Sequence, residues 1–145
     1  HDRQWIFDVA HNEDGIKFLL KQLTRAWQRH LVKHPDAKLY FLFSMLGDKD
    51  VSAVLHHLKA AMDANELPMA SWHIAAIDHS RAMPLDELLG ITQRYVDPVQ
   101  ISTYETLDQA AHGVIDASRP EDLIVAFGSF HTIGESLVAL LGRPY

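Results

Sequence analysis

The chain has 145 residues, 48% of them hydrophobic, a formal charge of −6 and no cysteine. It is the size of one ordinary domain, able to bury roughly 70% of the surface of its unfolded form and so to hold together without a disulfide or structural metal. The missing cysteines exclude thiolate zinc sites, Fe–S clusters and thiol catalysis. The negative charge argues against nucleic acid, and no stretch approaches the roughly 20 apolar residues of a membrane span.

The first residues look like neither a signal peptide nor a transit peptide, and the expected location is the cytoplasm. Strand-like sequence begins at about Gln4 with no initiator Met, which reads as a piece of something longer. Trp5 to Gly15 is WIFDVAHNEDG, an apolar run that stops on a carboxylate, an imidazole and an amide. That pattern is a strand ending in a polar turn. Ile16, Leu19, Leu20, Leu23 and Trp27 then recur at helical spacing against Lys17, Lys21, Arg25 and Arg29, predicting a helix to about His30. After the break at His34-Pro35-Asp36, Lys38 to Phe43 (KLYFLF) is a continuous apolar run that reads as a central strand covered on both sides.

The loop from Ser44 to Asp50 leads to a helix carrying Val51, Val54, Leu55, Leu58 and Met62, with Asp50 as its cap. Residues 69–77 (MASWHIAAI) form a third strand candidate. Pro84, at a first helical position, opens a short helix that Gly90 is expected to stop, and Val96 to Ile101 reads as a short strand. Thr106 to Gln109 has capping-box spacing for a helix to about Ser118. Leu123 to Phe127 is a strand, Thr132 to Glu135 a second capping box, and Leu137, Val138, Leu140 and Leu141 a final helix. Strands alternating with such helices imply βαβ units. The expected fold is a single three-layer α/β domain over residues 1–145, with a mostly parallel, Rossmann-like sheet.

In open α/β sheets ligands sit where the carboxyl ends of the strands open into loops, which puts Asp8, His11 and Asn12 on the rim of a crevice. Asp8 has two even readings: acceptor for ribose hydroxyls, or cap for nearby backbone N–H groups. His11 as imidazolium would orient an anionic ligand, although a lone histidine among ten is more often polar filler. Asn12 suits the N-cap of the following helix. Gly128-Ser129-Phe130-His131-Thr132 offers backbone N–H groups at a helix N-terminus, an anion site to which Ser129 adds a hydroxyl, while Thr132 fits its capping box. It carries neither a P-loop lysine nor GxGxxG, and a GxSxG elbow is ruled out by His131. Lys49 is placed to neutralise phosphate, or is one of a solvated charge cluster. The histidine spacings lack metal-pair geometry, and no metal held by this chain is expected.

Taken together, FDVAHN, MLGDKD and GSFHT resemble, in order and separation, the C-terminal domain of the folylpolyglutamate synthase/dihydrofolate synthase family within the Mur ligase superfamily. Mur cell-wall ligases share the domain but usually carry an Asp-Ser-rich turn ending in Thr-Asn where this chain has DVAHN, which favours the folate branch. The resemblance implies an ATP-dependent amide ligase: a pteroate or folate carboxylate takes the γ-phosphoryl of ATP, and the amine of L-glutamate attacks the acyl phosphate. By similarity Asp8 and Asn12 bind ATP. His11 and Ser129 lie near the reacting phosphoryl and the incoming glutamate, with His11 as the catalytic candidate and Lys49 and His131 as further candidates. The P-loop and the Mg²⁺ ligands would belong to an N-terminal ATPase domain, since no GxxxxGK[ST] occurs here. The isolated chain is then expected to fold without catalysing. Two departures from the family are Glu13, where Pro usually follows Asn12, and Ser44, where Gly is common. A Mur-type peptidoglycan precursor ligase, or a non-catalytic anion-binding or docking module, are the alternatives.

Overall fold

Strand and helix alternate along the chain: β1 (Gln4–Asp8), α1 (Glu13–Lys33), β2 (Leu39–Phe43), α2 (Val51–Asp63), β3 (Ser71–Ala75), α3 (Leu85–Thr92), β4 (Ile101–Tyr104), α4 (Leu107–Ala117) and β5 (Leu123–Phe127), with a 3-10 turn at Pro98–Gln100. This is a computed structural model, and it describes residues 4–8, 13–45, 50–77, 80–128, 132 and 134. The strands make one parallel sheet in the order β1-β5-β2-β3-β4. From β1 through β2 and β3 to β4 the chain steps across the sheet in one direction, and α1, α2 and α3 pack together with one face of it. The return from β4 to β5 reverses that direction, and α4 packs on the other face. A right-handed crossover rule demands this change of face.

The period of two along each strand sorts the core. Leu39, Phe41 and Phe43 of β2 join Trp72, Val125 and Phe127 under Ile16, Leu19, Leu23 and Trp27 of α1 and Val54 and Leu58 of α2. Leu42 and Ala126 turn instead to Leu107, Ala110 and Ala111 of α4. β2 and β5 are buried along their whole length, as strands covered on both faces should be. Phe41, Phe43, Trp72 and Phe127 form an aromatic cluster with centroids 4.6 to 6.1 Å apart. Each such ring pair contributes about 0.5–1.5 kcal/mol beyond simple burial. Phe43 and Phe127 are the last residues of their strands, so the cluster fixes the carboxyl end of the sheet.

Several predicted boundaries move. α1 continues to Lys33 because His30 turns inward, with Nδ1 3.2 Å from the Gln4 side-chain oxygen and Nε2 against the Glu121 carbonyl. Pro84 is extended (φ −56°, ψ 143°) and caps α3 rather than starting it. Gly90 does not stop α3, which runs on to Thr92, where the hydroxyl donates to the Leu88 carbonyl. The strand expected over Val96 to Ile101 lies later: Asp97 accepts from Val99 N and closes the 3-10 turn, and pairing with Trp72 begins only at Ile101. Thr106 and Asp50 cap α4 and α2 by accepting from Gln109 N and Ala53 N, each at 3.1 Å. No helix among the described residues is long and apolar enough to cross a membrane.

Candidate functional site

β1 ends on Asp8, and the register sets Asp8 beside Phe127 and Phe127 beside Phe43. The exits of the first, last and central strands are therefore neighbours at one rim. They are also tied together. Gly128 N–H donates to the Asp8 carbonyl at 3.3 Å, so the chain leaving β5 is held against the end of β1. On its other side Gly128 presses on β2: its φ is +138°, and a Cβ there would collide with the Ser44 carbonyl. Only glycine meets both demands. The same carbonyl accepts a hydrogen bond of 3.1 Å from the Thr132 hydroxyl. Thr132 is thus buried and reaches across to β2; the rest of the capping box expected for it lies outside the described residues.

Ser44 completes this junction in an unusual way, since its carbonyl is engaged while its own Oγ is fully buried with no hydrogen-bond partner among the described residues. Close backbone approach survives the departure from Gly at this position, since the Ser44 carbonyl lies where a Cβ on Gly128 would stand. Met45 then extends the junction, its carbonyl accepting from Met83 N at 3.1 Å and drawing the segment after β3 to the same end of the sheet.

A second clamp holds the helix that follows Asp8. Glu13, in the first turn of α1, accepts from His57 Nε2 of α2 at 3.1 Å and lies 3.8 Å from the Lys17 ammonium. The His57 hydrogen bond, then the Lys17 charge, hold its carboxyl below the usual range. No signal in the sequence pairs residues 13 and 57; their meeting follows from α1 packing on α2.

Of the residues singled out from the sequence, Asp8 is half-buried at the rim. His11, Asn12, Lys49, Ser129 and His131 lie outside the described residues. Among the described residues there is no group of three or more His, Asp or Glu placed to hold a metal ion.

A model of the family described as "Mur ligase, glutamate ligase domain" matches residues 1–130. The chain belongs to that family. This glutamate ligase domain is 27% identical over 130 residues to the dihydrofolate synthase/folylpolyglutamate synthase of Haemophilus influenzae, covering 90% of this chain and 27% of that protein. Its identity to the Escherichia coli protein of the same name is 25% over 138 residues, 95% of this chain and 28% of the other. The domain thus spans little more than a quarter of the length of these relatives. Among solved structures, E. coli FolC in complex with DHPP and ADP shares its fold, with a TM-score of 0.69 at 23% identity over 97% of this chain and 29% of that one. Mycobacterium tuberculosis folylpolyglutamate synthase complexed with ADP and AMPPCP gives 0.62 at 28% identity, covering 95% and 30%. In this glutamate ligase domain the sheet's carboxyl rim, with Asp8, Gly128 and Ser44 locked together, is the candidate site.

Proposed function

We propose that this domain is the C-terminal, glutamate-ligating part of an ATP-dependent amide ligase that joins L-glutamate to dihydropteroate or folate. The observation that carries it is the match to dihydrofolate synthase/folylpolyglutamate synthases over nine-tenths of the chain. In the reaction a carboxylate oxygen of the folate attacks the γ-phosphorus of ATP and ADP leaves. The glutamate nitrogen then attacks the acyl carbon, phosphate leaves, and the ammonium proton goes to a base. Asp8 and Asn12 bind the nucleotide. His11 and Ser129 hold the glutamate carboxylates beside the phosphoryl, since a dianionic amino acid needs charged and neutral donors, and Lys49 and His131 add positive charge.

What supports a site at this rim is that Asp8 closes β1 next to the exits of β5 and β2. One related structure, from Yersinia pestis, is complexed with AMPPNP and Mn ion. By the resemblance, the Mg²⁺ that accompanies ATP is assigned to an N-terminal P-loop domain, the proposed partner of this one in the cytoplasm.

The test is an assay of the parent coding sequence for ATP-dependent incorporation of glutamate. Turnover of dihydropteroate or folate, with none of UDP-linked peptides, is expected; the reverse preference would move the protein to the cell-wall ligases. Calorimetry of the isolated chain with ATP and Mg²⁺ should show little heat, and micromolar binding would overturn the division of labour.

A further inference from the structure

The outer face of α1 is more ordered electrostatically than a solvated helix requires. Lys17, Lys21, Arg25, Arg29 and Lys33 recur at intervals of four, all exposed, on the side away from the buried stripe of Ile16, Leu19, Leu23 and Trp27. The only carboxylates of α1 are Glu13 and Asp14 in its first turn. Glu13 engages Lys17, whereas Lys21, Arg25, Arg29 and Lys33 have no ion-pair partner among the described residues. Like charges four residues apart on a helix repel. This chain nonetheless places five of its 13 Lys and Arg residues in one shallow spiral row, which winds about 160° around the helix, while carrying a net charge of −6. The row starts one turn from the rim that holds Asp8 and runs about 24 Å along the helix. It ends where Arg29, Lys33 and His34 line a hollow of about 420 Å³.

We propose that this row is a track for an oligo-γ-glutamate chain, a reading that rests on the ligase function above. A γ-linked chain bears one free α-carboxylate per unit, and its five-bond repeat extends to about 6 Å. Four residues of helix rise about 6 Å as well. Carboxylates added in earlier rounds trail away from the ligation point, and cations spaced at that repeat meet them one by one. An α-linked chain, with side chains about 3.5 Å apart on alternating sides, does not match the interval.

The experiment measures binding of fluorescently labelled penta-γ-L-glutamate to the 145-residue chain by anisotropy, at low and at physiological salt. The comparison is a Lys21→Gln, Arg25→Gln, Arg29→Gln variant whose fold is checked by circular dichroism; the three side chains are exposed. At low salt the variant should bind at least about tenfold more weakly, and the parent's affinity should fall as salt rises. Penta-α-glutamate should bind the parent more weakly than the γ-linked probe. Equal binding by the variant, no binding by the parent chain, or equal affinity for the α-linked peptide or a single-stranded oligonucleotide would each overturn the track. The readout needs neither ATP nor ligation. A parent enzyme without glutamate ligase activity would remove the proposed function and leave this binding result intact, whereas ligation without tail binding would remove the track alone.

Discussion

The Tyr104 hydroxyl lies 2.8 Å from Nδ1 of His73, on the sheet face that α4 covers. The two rings stack at 5.7 Å as diagonal neighbours across the β3–β4 pairing. Burial pushes the His73 imidazole down to about 4, from an ordinary value of 6.5. The histidine is therefore neutral in the folded protein at neutral pH.

The sign of its contribution follows. Below about 6.5 the unfolded chain takes up a proton that the folded one refuses, so this stability is fully present above that pH and is lost as pH falls toward 4. Between pH 7 and 5 the loss should be about 2 kcal/mol. Urea unfolding at both pH values should show it in the parent and show a much smaller drop in His73→Gln. Equal drops in the two proteins would show that His73 does not drive the acid sensitivity.

Gly113 in α4 makes room for the same tyrosine. A Cβ at this position would collide with the ring and hydroxyl of Tyr104. Gly113→Ala gains about 1 kcal/mol of helix propensity but overpacks the contact, at a cost of about 1–3 kcal/mol. A lower melting temperature is expected, with weakened pH dependence as Tyr104 leaves His73. A stabilised variant would mean that the edge strand yields freely.

Gly128→Ala should be the most damaging single change at the rim. It combines a left-handed φ of +138° with a collision against backbone, the Ser44 carbonyl, which has no rotamer through which to escape. A loss of about 3 kcal/mol or more in denaturant unfolding is expected, together with loss of ligation in the parent enzyme. Near-native stability would show that the β5 exit is not held against β2.

Ser44→Ala works the other way. The hydroxyl is buried without a partner, so removing it relieves a desolvation cost and should raise stability by about 1 kcal/mol. The Thr132 hydrogen bond goes to the backbone carbonyl and is untouched. A melting temperature below that of the parent would refute the assignment of Ser44 as an unsatisfied group.

Much of the fold was legible because it is governed by interactions within a few residues. The apolar run of Leu123 to Phe127, the Asp50 and Thr106 caps, and the stripe of α1 depend on local periodicity and on N–H groups three positions away. They could be read without knowing what lies opposite. Where tertiary pairing intervened, local reading failed. The fourth strand starts at Ile101 because Trp72 is there to pair with, and α1 gains a last turn because His30 finds Gln4 and Glu121.

The candidate site divides in the same way. That Asp8 terminates a strand and that Gly128 opens a turn are properties of short segments. That β5 inserts between β1 and β2, so that Asp8, Gly128 and Ser44 share one rim, is a property of strand order. So too are the Glu13–His57 clamp and the His73–Tyr104 pair, whose members stand 44 and 31 residues apart. Hydrophobic patterning says which face of an element is buried and leaves open which element buries it. That choice is made only when the crossovers close and side chains distant in the chain compete for the same space.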